Sequence, residues 1–220
     1  MMKKHFLYLL SITLLSAAMI SCAKSTQGKM ANEWQVVSSE ENSTSVNSDG
    51  SKTIASRTTN ETSYSSSVTN TNPQGESSTA NHSGGVNAFD WLIEKDGSWT
   101  RTEEYTEMDS GKKLTYRTVY SGSWSFVGKN KGDDFKKNER VLFNVLAKRY
   151  NFTQTEQGAT TMSYSSNETY LAGERVLIFT VKESKQKELQ LESESGSTVL
   201  YDGENQGTNS GKSSFTLKEK

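Results

Sequence analysis

One stretch of the sequence, LTYRTVYSGSWSF from Leu114 to Phe126, alternates with a period of two more regularly than any other part of the chain, with Val119 as an exception among the polar odd positions. The larger side chains occupy the even positions: Leu114, Tyr116, Thr118, Tyr120, Trp124 and Phe126. Such a period of two is typical of a β-strand that turns one face toward a core. The chain is therefore constrained to form a sheet that is buried on one side. Gly122 interrupts the pattern and predicts a bend or bulge within one long strand.

A second alternating stretch precedes it and ends in a turn. Phe89, Trp91 and Ile93 alternate with other residues, and the sequence KDGSW follows from Lys95 to Trp99. A two-residue turn at Asp-Gly would place Ile93 opposite Thr100. A type I turn with Gly97 in a left-handed bulge would instead pair Ile93 with Trp99. Because only the second register joins two large apolar side chains on one face, we predict the bulged turn.

Further β-strands are predicted along the rest of the chain. The segments are 33–37, 141–146 continuing toward 152, 160–171, 175–181, 188–192 and 215–217, with turns at 109–111 and 128–132. Residues 135–150 also fit an amphipathic helix, and the period does not decide between helix and strand. Many short strands, frequent turn signals and a single proline predict an all-β fold, either an antiparallel barrel or a sandwich.

The region around 38–88 has a different composition, dominated by Ser, Thr and Asn. Such a composition is typical of a disordered segment. Ser/Thr-rich runs that contain β-branched residues can also form polar edge strands, so both alternatives stay open. Within this partly disordered insert, Pro73 to Gly85 is the predicted loop.

The N-terminus has the three parts of a secretory signal peptide. A basic start, MMKKH, is followed by the apolar run FLYLLSITLL and then by small residues. The apolar run is shorter than the ~20 residues that a transmembrane helix needs. We therefore predict a signal peptide over 1–21, a flexible tether over 22–32, and a β-barrel domain over 33–220.

The sole cysteine, Cys22, follows this signal directly. The sequence Met19-Ile20-Ser21-Cys22 resembles a bacterial lipobox, in which the thiol receives a diacylglycerol and the signal is cut just before it. A single thiol cannot form an internal disulfide, which favours its use as an attachment point. Acyl chains such as palmitate would hold the protein on a bilayer. In a Gram-negative host, Ala23 rather than Asp after the cysteine resembles the signal for an outer-membrane destination.

Several short motifs resemble the lipocalin-like lipoproteins of Bacteroidota. They are Phe89-x-Trp91 with KDGSWT (95–100), YSGSWSF (120–126) and KELQL (187–191). The likeness spans roughly Trp34 to the C-terminus, although the long Ser/Thr insert departs from the family pattern. The resemblance implies a single antiparallel meander barrel on a lipid tether, and it implies no particular function.

The sequence gives little support for catalysis. The mature chain would retain one histidine, His82, and one cysteine, which are too few for a metal site built from Cys and His. It also lacks a phosphate-binding glycine loop. Glu103-Glu104 and Asp133-Asp134 are adjacent pairs, which we interpret as solvated charges because neighbouring strand residues face opposite ways. The net charge of −1 is not that of a nucleic-acid-binding domain. We expect no enzyme activity and no cofactor.

Two functions remain as hypotheses. In the first, the barrel is filled by its own side chains and the protein has a structural or interaction role at the cell envelope. In the second, the barrel carries a small apolar or saccharide ligand against its aromatic residues. The candidate lining residues are Trp91, Tyr116, Tyr120, Trp124 and Phe126. We favour the filled barrel because aromatic residues at period two usually form a core.

Overall fold

The computed structural model describes residues 26–128, 138–185, 187–202 and 205–220, without the side chains of 194–202 and 205–207. In these residues the chain forms one short helix and a series of β-strands. They are α1 (Thr26–Met30), β1 (Glu33–Val46), β2 (Lys52–Asn60), β3 (Ser63–Thr71), β4 (Ser77–Ile93), β5 (Ser98–Asp109), β6 (Lys112–Gly128), β7 (Glu139–Glu156), β8 (Ala159–Thr169), β9 (Val176–Ser184), β10 (Glu188–Asp202) and β11 (Asn205–Glu219). The predicted all-β class is confirmed.

The strands close into an antiparallel barrel. Within the described residues, ten strands form a ring in the order β6-β5-β4-β3-β2-β1-β11-β10-β9-β7, and β7 pairs with β6 to close it. The contact between β9 and β7 involves Glu139–Asn144, the first part of β7. The remainder of β7 pairs with β8, whose other edge has no paired strand in the described part of the chain. A barrel, rather than a sandwich, is therefore the architecture.

The barrel has a different number of strands at its two ends. At the end where β1 begins, which we call the base, Glu33–Gln35 of β1 pair directly with Asp90–Leu92 of β4. From Ser38 onward β1 pairs with β2 instead, and the β2–β3 hairpin separates β1 from β4. We call the opposite end, with the turns at 47–51 and 72–76, the rim. The β1–β4 pairing means that the described strands close the base without β2, β3 or β8.

Burial changes along the strands from rim to base. In β4, residues 77–83 are exposed on both faces of the strand, whereas Phe89, Trp91 and Ile93 are buried and alternate with less buried residues. The core consists of 19 buried hydrophobic side chains in the described residues, most of them near the base. Two-sided exposure near the rim means that the interior there is open to water. The interior is therefore filled by side chains near the base and open near the rim.

Both detailed strand predictions are confirmed. Ile93 pairs with Trp99, and the turn has Gly97 at a φ of 90° with the Glu94 amide donating to the Ser98 carbonyl. In β6, the register against β7 shifts between Ser121 and Gly122, which is the predicted bulge. A Cβ at Gly122 would lie 1.8 Å from the carbonyl oxygen of Asn144, so the neighbouring strand comes too close for any other residue.

Other predictions need correction. Residues 38–88 form strands, and the loop predicted over Pro73 to Gly85 is wrong because β4 begins at Ser77. The flexible tether predicted over 22–32 is also wrong in its second half, where α1 is helical and the side chain of Met30 is fully buried. The segment 139–150 is a strand rather than a helix. The signal peptide, the turn predicted at 128–132 and Asp133-Asp134 lie wholly or largely outside the described residues.

Candidate functional site

Trp91, the first of the predicted ligand-lining residues, lies at the centre of a packed aromatic core in the base. It is 0% exposed. Its ring centroid lies 5.1 to 5.9 Å from four other aromatic rings, those of Phe143, Phe215, Phe179 and Trp99. Aromatic rings at such separations are in direct packing contact. A ligand could reach Trp91 only by displacing these side chains, so this part of the interior is filled.

Trp124 and Phe126 belong to the same filled base. Trp124 is 9% exposed, and its indole nitrogen donates to the carbonyl oxygen of Glu94 over 2.7 Å. Phe126 is half-buried and packs against the core. The structure thus places these two residues with Trp91 as core residues, and the alternation correctly predicted that they face inward.

The helix α1 closes the base from below. Met30 is fully buried, and its carbonyl oxygen accepts a hydrogen bond of 2.8 Å from the indole of Trp34. Lys29 reaches the carbonyl oxygen of Ser184 at the end of β9, 3.4 Å away. The chain therefore joins the barrel at its base, where the core is sealed by an apolar side chain.

A ring of four charged side chains lies above the aromatic core. It consists of Glu41 on β1, Arg57 on β2, and Arg101 and Glu103 on β5; we call it the charge ring. Arg57 Nη2 lies 2.6 Å from Glu41 Oε1 and 3.2 Å from Glu103 Oε2. Arg101 Nη2 lies 2.6 Å from Glu103 Oε1 and 3.5 Å from Glu41 Oε2. Each arginine thus contacts both carboxylates, and the four charges sum to zero.

Arg101 is the most deeply buried member of the charge ring. Its guanidinium carbon lies 4.9 Å from the ring centroid of Phe215, 5.0 Å from Phe89 and 5.3 Å from Trp91. Such contacts with aromatic faces stabilise a cation. Burial lowers the pKa of Arg101, but the carboxylates of Glu103 and Glu41 outweigh it and raise the pKa above its ordinary value. Arg101 therefore stays charged inside the barrel.

A second hydrogen-bonded group lies on the rim side of the charge ring. The Tyr105 hydroxyl donates to Glu103 Oε2 over 3.3 Å, and the ring of Tyr64 packs 4.7 Å from that of Tyr105. The Tyr64 hydroxyl donates to Glu107 Oε1, and His82 Nδ1 lies 3.6 Å from Glu107 Oε2. Burial raises the pKa of both tyrosines, which therefore stay protonated and serve as donors. His82 is not in the predicted loop but on the inner face of β4.

Tyr116 lies apart from the filled base and belongs to an aromatic group nearer the rim. Its ring centroid is 5.3 Å from that of Phe152, and the rings of Tyr150 and Tyr164 are 6.2 Å apart. Tyr116 pairs with Phe152, which in turn pairs with Tyr164. These side chains therefore form a patch on the inner face of β6, β7 and β8, which we call the aromatic wall (Tyr116, Tyr150, Phe152, Tyr164).

Tyr120 connects the two regions. It is half-buried, and its ring lies 5.7 Å from the guanidinium carbon of Arg101 and 5.8 Å from that of Arg175. The five predicted lining residues are thus not brought together in one cavity. Three of them fill the base, Tyr120 lies at the level of the charge ring, and Tyr116 faces the open part of the interior.

Within the part of the chain that the structure describes, four side-chain atoms inside the barrel are buried without a protein hydrogen-bond partner. They are Ser39 Oγ, Thr59 Oγ1, Trp91 Nε1 and Arg101 Nε. Ser39 and Thr59 are direct cross-strand partners on β1 and β2, and Trp91 pairs with Arg101 across β4 and β5. Since buried polar atoms are nearly always hydrogen-bonded, we expect ordered water at this level of the barrel.

A cleft lies between the two turns of the rim. Its volume is about 530 Å³, and the residues that line it are polar apart from Pro73. They include Asn47 and Ser51 from one turn and Asn72 and Glu76 from the other.

In the described residues, no group of three or more His, Cys, Asp or Glu side chains is placed to hold a metal ion. The helices of the described chain include none with the length and apolarity to span a bilayer.

The charge ring was missed by the sequence analysis. Glu103 was interpreted as a solvated charge, which is wrong because its side chain is buried between Arg57 and Arg101. Glu104 does face outward, where it contacts Arg117 at 3.1 Å. A signal was present, because Trp99, Arg101, Glu103 and Tyr105 alternate with small or polar residues and so share one face.

Comparisons with protein-family models, with characterised proteins and with solved structures found no match to this chain. The likeness to lipocalin-like lipoproteins therefore stays an interpretation of the sequence motifs, while the barrel itself is observed.

Proposed function

We propose that this protein is a lipid-anchored, non-catalytic component of the bacterial cell envelope, attached through acyl chains on Cys22, with a structural or interaction role. Its destination would be the outer membrane, as the residue after the cysteine suggests. The observation that carries the proposal is the docking of α1 against the base, because the chain enters the domain there, only four positions after Cys22.

The short spacing has a consequence for orientation. Four residues span at most about 14 Å when extended, so an acyl chain on Cys22 would hold the base close to the bilayer. The rim would then point away from the membrane. The sealed and packed base suits the membrane-facing end, while the polar interior near the rim faces the aqueous compartment.

The filled base argues against a carrier of lipophilic molecules. Apolar ligands need an apolar cavity, and the apolar part of this interior is occupied by the core around Trp91. The charge ring separates that core from the open part of the barrel. A fatty acid or sterol placed above the ring would meet buried charges and hydroxyl groups, which would lose their hydration.

The anchor is tested by intact-mass analysis of protein extracted from bacterial membranes. We expect the mass of a chain that begins at Cys22 and carries acyl groups, and we expect Cys22→Ser to leave an unprocessed precursor. An unmodified thiol at Cys22 in the wild-type protein would contradict the proposal.

The orientation is tested with fluorescent labels on protein reconstituted in lipid vesicles. Asp49→Cys places a label in a rim turn and Lys218→Cys places one near the base; both positions are exposed. We expect energy transfer to a membrane-bound acceptor to be stronger from position 218 than from position 49. Equal transfer from both positions would mean that the barrel does not stand on its base.

A further inference from the structure

The aromatic wall lies on the inward face of β6, β7 and β8, and yet it remains accessible to water. Tyr164 is 58% exposed, and Tyr116, Tyr150 and Phe152 are only half-buried. Met162, on the same inner face of β8, is 54% exposed. Exposed groups of large apolar side chains in a concave position mark binding sites more often than chance surface residues do.

The strands β2, β3 and β4 present a very different inner face. Cross-strand pairing places Arg57, Ser66 and His82 in one row, and Thr53, Asn70 and Ser78 in another nearer the rim. The row between them holds the small apolar residues Ala55, Val68 and Ala80. The open interior therefore combines an aromatic surface on β6–β8 with small and hydrogen-bonding side chains on β2–β4.

The charge ring forms the floor of this space, and Glu107 lies in its wall on β5, one inward position nearer the rim than Tyr105. Arg57 and Glu41 retain 28% and 23% exposure of their side chains, unlike the more deeply buried Arg101 and Glu103. Glu107 bonds to Tyr64 and approaches His82 at 3.6 Å. A carboxylate oxygen has more than one acceptor position, so Glu107 can accept further hydrogen bonds from a ligand.

This combination matches the chemistry of a sugar ring. A pyranose has apolar faces of C–H groups, which pack on aromatic rings, and a rim of hydroxyl groups, which exchange hydrogen bonds with polar side chains. A purely apolar ligand would leave the hydroxyl, amide and carboxylate groups unsatisfied. A nucleic acid would need a basic surface, whereas the charge ring sums to zero and Glu107 is acidic.

We infer that the open interior of the barrel near the rim is a binding site for a neutral saccharide, with the aromatic wall as its stacking surface and Glu107 as an acceptor of sugar hydroxyls. The site goes beyond the proposed envelope role and does not depend on acylation of Cys22.

The location of the site predicts which aromatic residues should respond spectroscopically to a bound ligand. The chain has four tryptophans, and all of them are buried in the core, on the base side of the charge ring. A ligand on the aromatic wall would contact tyrosine and phenylalanine rings but no indole. Binding should therefore leave tryptophan fluorescence unchanged while shifting the NMR signals of tyrosine rings.

The test is a titration of the purified full-length protein in solution, whatever the state of Cys22, with a panel of neutral oligosaccharides. The panel contains malto-, cello-, laminari-, manno- and chito-oligosaccharides, and calorimetry measures binding. We expect at least one member to bind, and Tyr164→Ala to weaken that binding at least tenfold. Tyr164→Phe should retain the affinity because it keeps the ring. Tyr164 is so exposed that its replacement should not unfold the barrel.

Ser163→Ala is the matched control, because Ser163 is the neighbour of Tyr164 on β8 and faces the outside of the barrel. It should leave affinity unchanged. The inference is overturned if no member of the panel binds, if Tyr164→Ala and Ser163→Ala behave alike, or if binding quenches tryptophan. Stabilisation by fatty acids, sterols or haem in place of saccharides would also overturn it. The mass analysis of Cys22 is independent of all these outcomes, so failure of the anchor and failure of the site are distinguishable.

Discussion

Arg101 and Glu103 lie two positions apart on β5, both directed into the barrel, and Arg101 Nη2 lies 2.6 Å from Glu103 Oε1 in an ion pair. Adjacent inward positions on one strand thus carry opposite charges at nearly complete burial, with side-chain exposures of 8% and 7%. Two further residues on β1 and β2, Glu41 and Arg57, complete the charge ring. The pairing of all four members explains how charges persist above an aromatic core.

Removal of a single member of the charge ring should destabilise the protein strongly. Arg101→Met would leave the carboxylate of Glu103 buried with one fewer cation, and breaking a buried pair in this way costs about 3–5 kcal/mol. The free energy of unfolding, measured by urea denaturation, is the quantity to compare. Arg117→Met is the control, because Arg117 pairs with Glu104 on the outer face with a side chain that is 50% exposed. Exposed pairs contribute only about 0–1 kcal/mol. Similar losses in the two variants would contradict the buried ring.

The stability of the protein should fall with acidity in a way that depends on Glu41. Burial raises the pKa of this carboxyl, but Arg101 and Arg57 outweigh it and hold the pKa below its ordinary value of 4.5. A carboxyl with a lowered folded-state pKa stabilises the protein fully above its unfolded-state pKa, and that stabilisation is lost as the pH falls through the folded-state value. The free energy of unfolding should therefore decrease as the pH drops below 4.5. Glu41→Gln should be less stable at neutral pH, and its free energy of unfolding should fall less steeply as the pH is lowered. An unchanged pH dependence in this variant would show that Glu41 does not contribute to the loss of stability in acid.

Two neighbouring glycines should respond in opposite ways to the same substitution. A Cβ on Gly84 would lie 2.0 Å from the carbonyl oxygen of Thr106, whereas a Cβ on Gly85 would meet nothing nearer than the Thr62 carbonyl oxygen at 3.8 Å. Gly84→Ala must push two strands apart, and overpacking of this kind costs typically about 1–3 kcal/mol. Gly85→Ala should be neutral or stabilising by up to about 1 kcal/mol, since it restricts the unfolded chain. Thermal unfolding of both variants checks this, and equal destabilisation would argue against the close approach of β4 and β5.

The packing of the base is tested on β6. Trp124→Ala removes a buried indole and its hydrogen bond to Glu94, so we expect a loss of about 3–5 kcal/mol. Ser123→Ala and Ser125→Ala change exposed residues on the other face and should each stay within about 0.5 kcal/mol. Guanidinium denaturation gives all three values. Three equally small losses would mean that the inner and outer faces of β6 are wrongly assigned.

A strand and its buried face can be predicted from the sequence where the two faces of the strand carry different kinds of side chain. In β6 most inner side chains are aromatic and most outer ones polar, so the period revealed both the strand and its buried face. In β2 and β3 both faces carry Ser and Thr, so no apolar period separates such a strand from a disordered segment. The alternation on β5 could have shown that Arg101 and Glu103 face inward, but it could not show their partners. Arg57 and Glu103 are 46 positions apart, and only the closure of the barrel brings them within 3.2 Å. Likewise, the burial of Met30 could not be predicted, because the residues around it in the sequence are small and polar.

The direct pairing of β1 with β4 at the base means that the strands could become longer or shorter at the rim without a change in the packing of the base. Because that pairing closes the base without the β2–β3 hairpin, residues removed from the ends of β2 and β3 near the rim would not touch the aromatic core. Removal of two residues from each strand would keep every remaining side chain on its present face, whereas removal of one would exchange inside for outside. The depth of the open interior can therefore vary independently of the core that stabilises the domain. It would do so by insertion or deletion of an even number of residues in each strand.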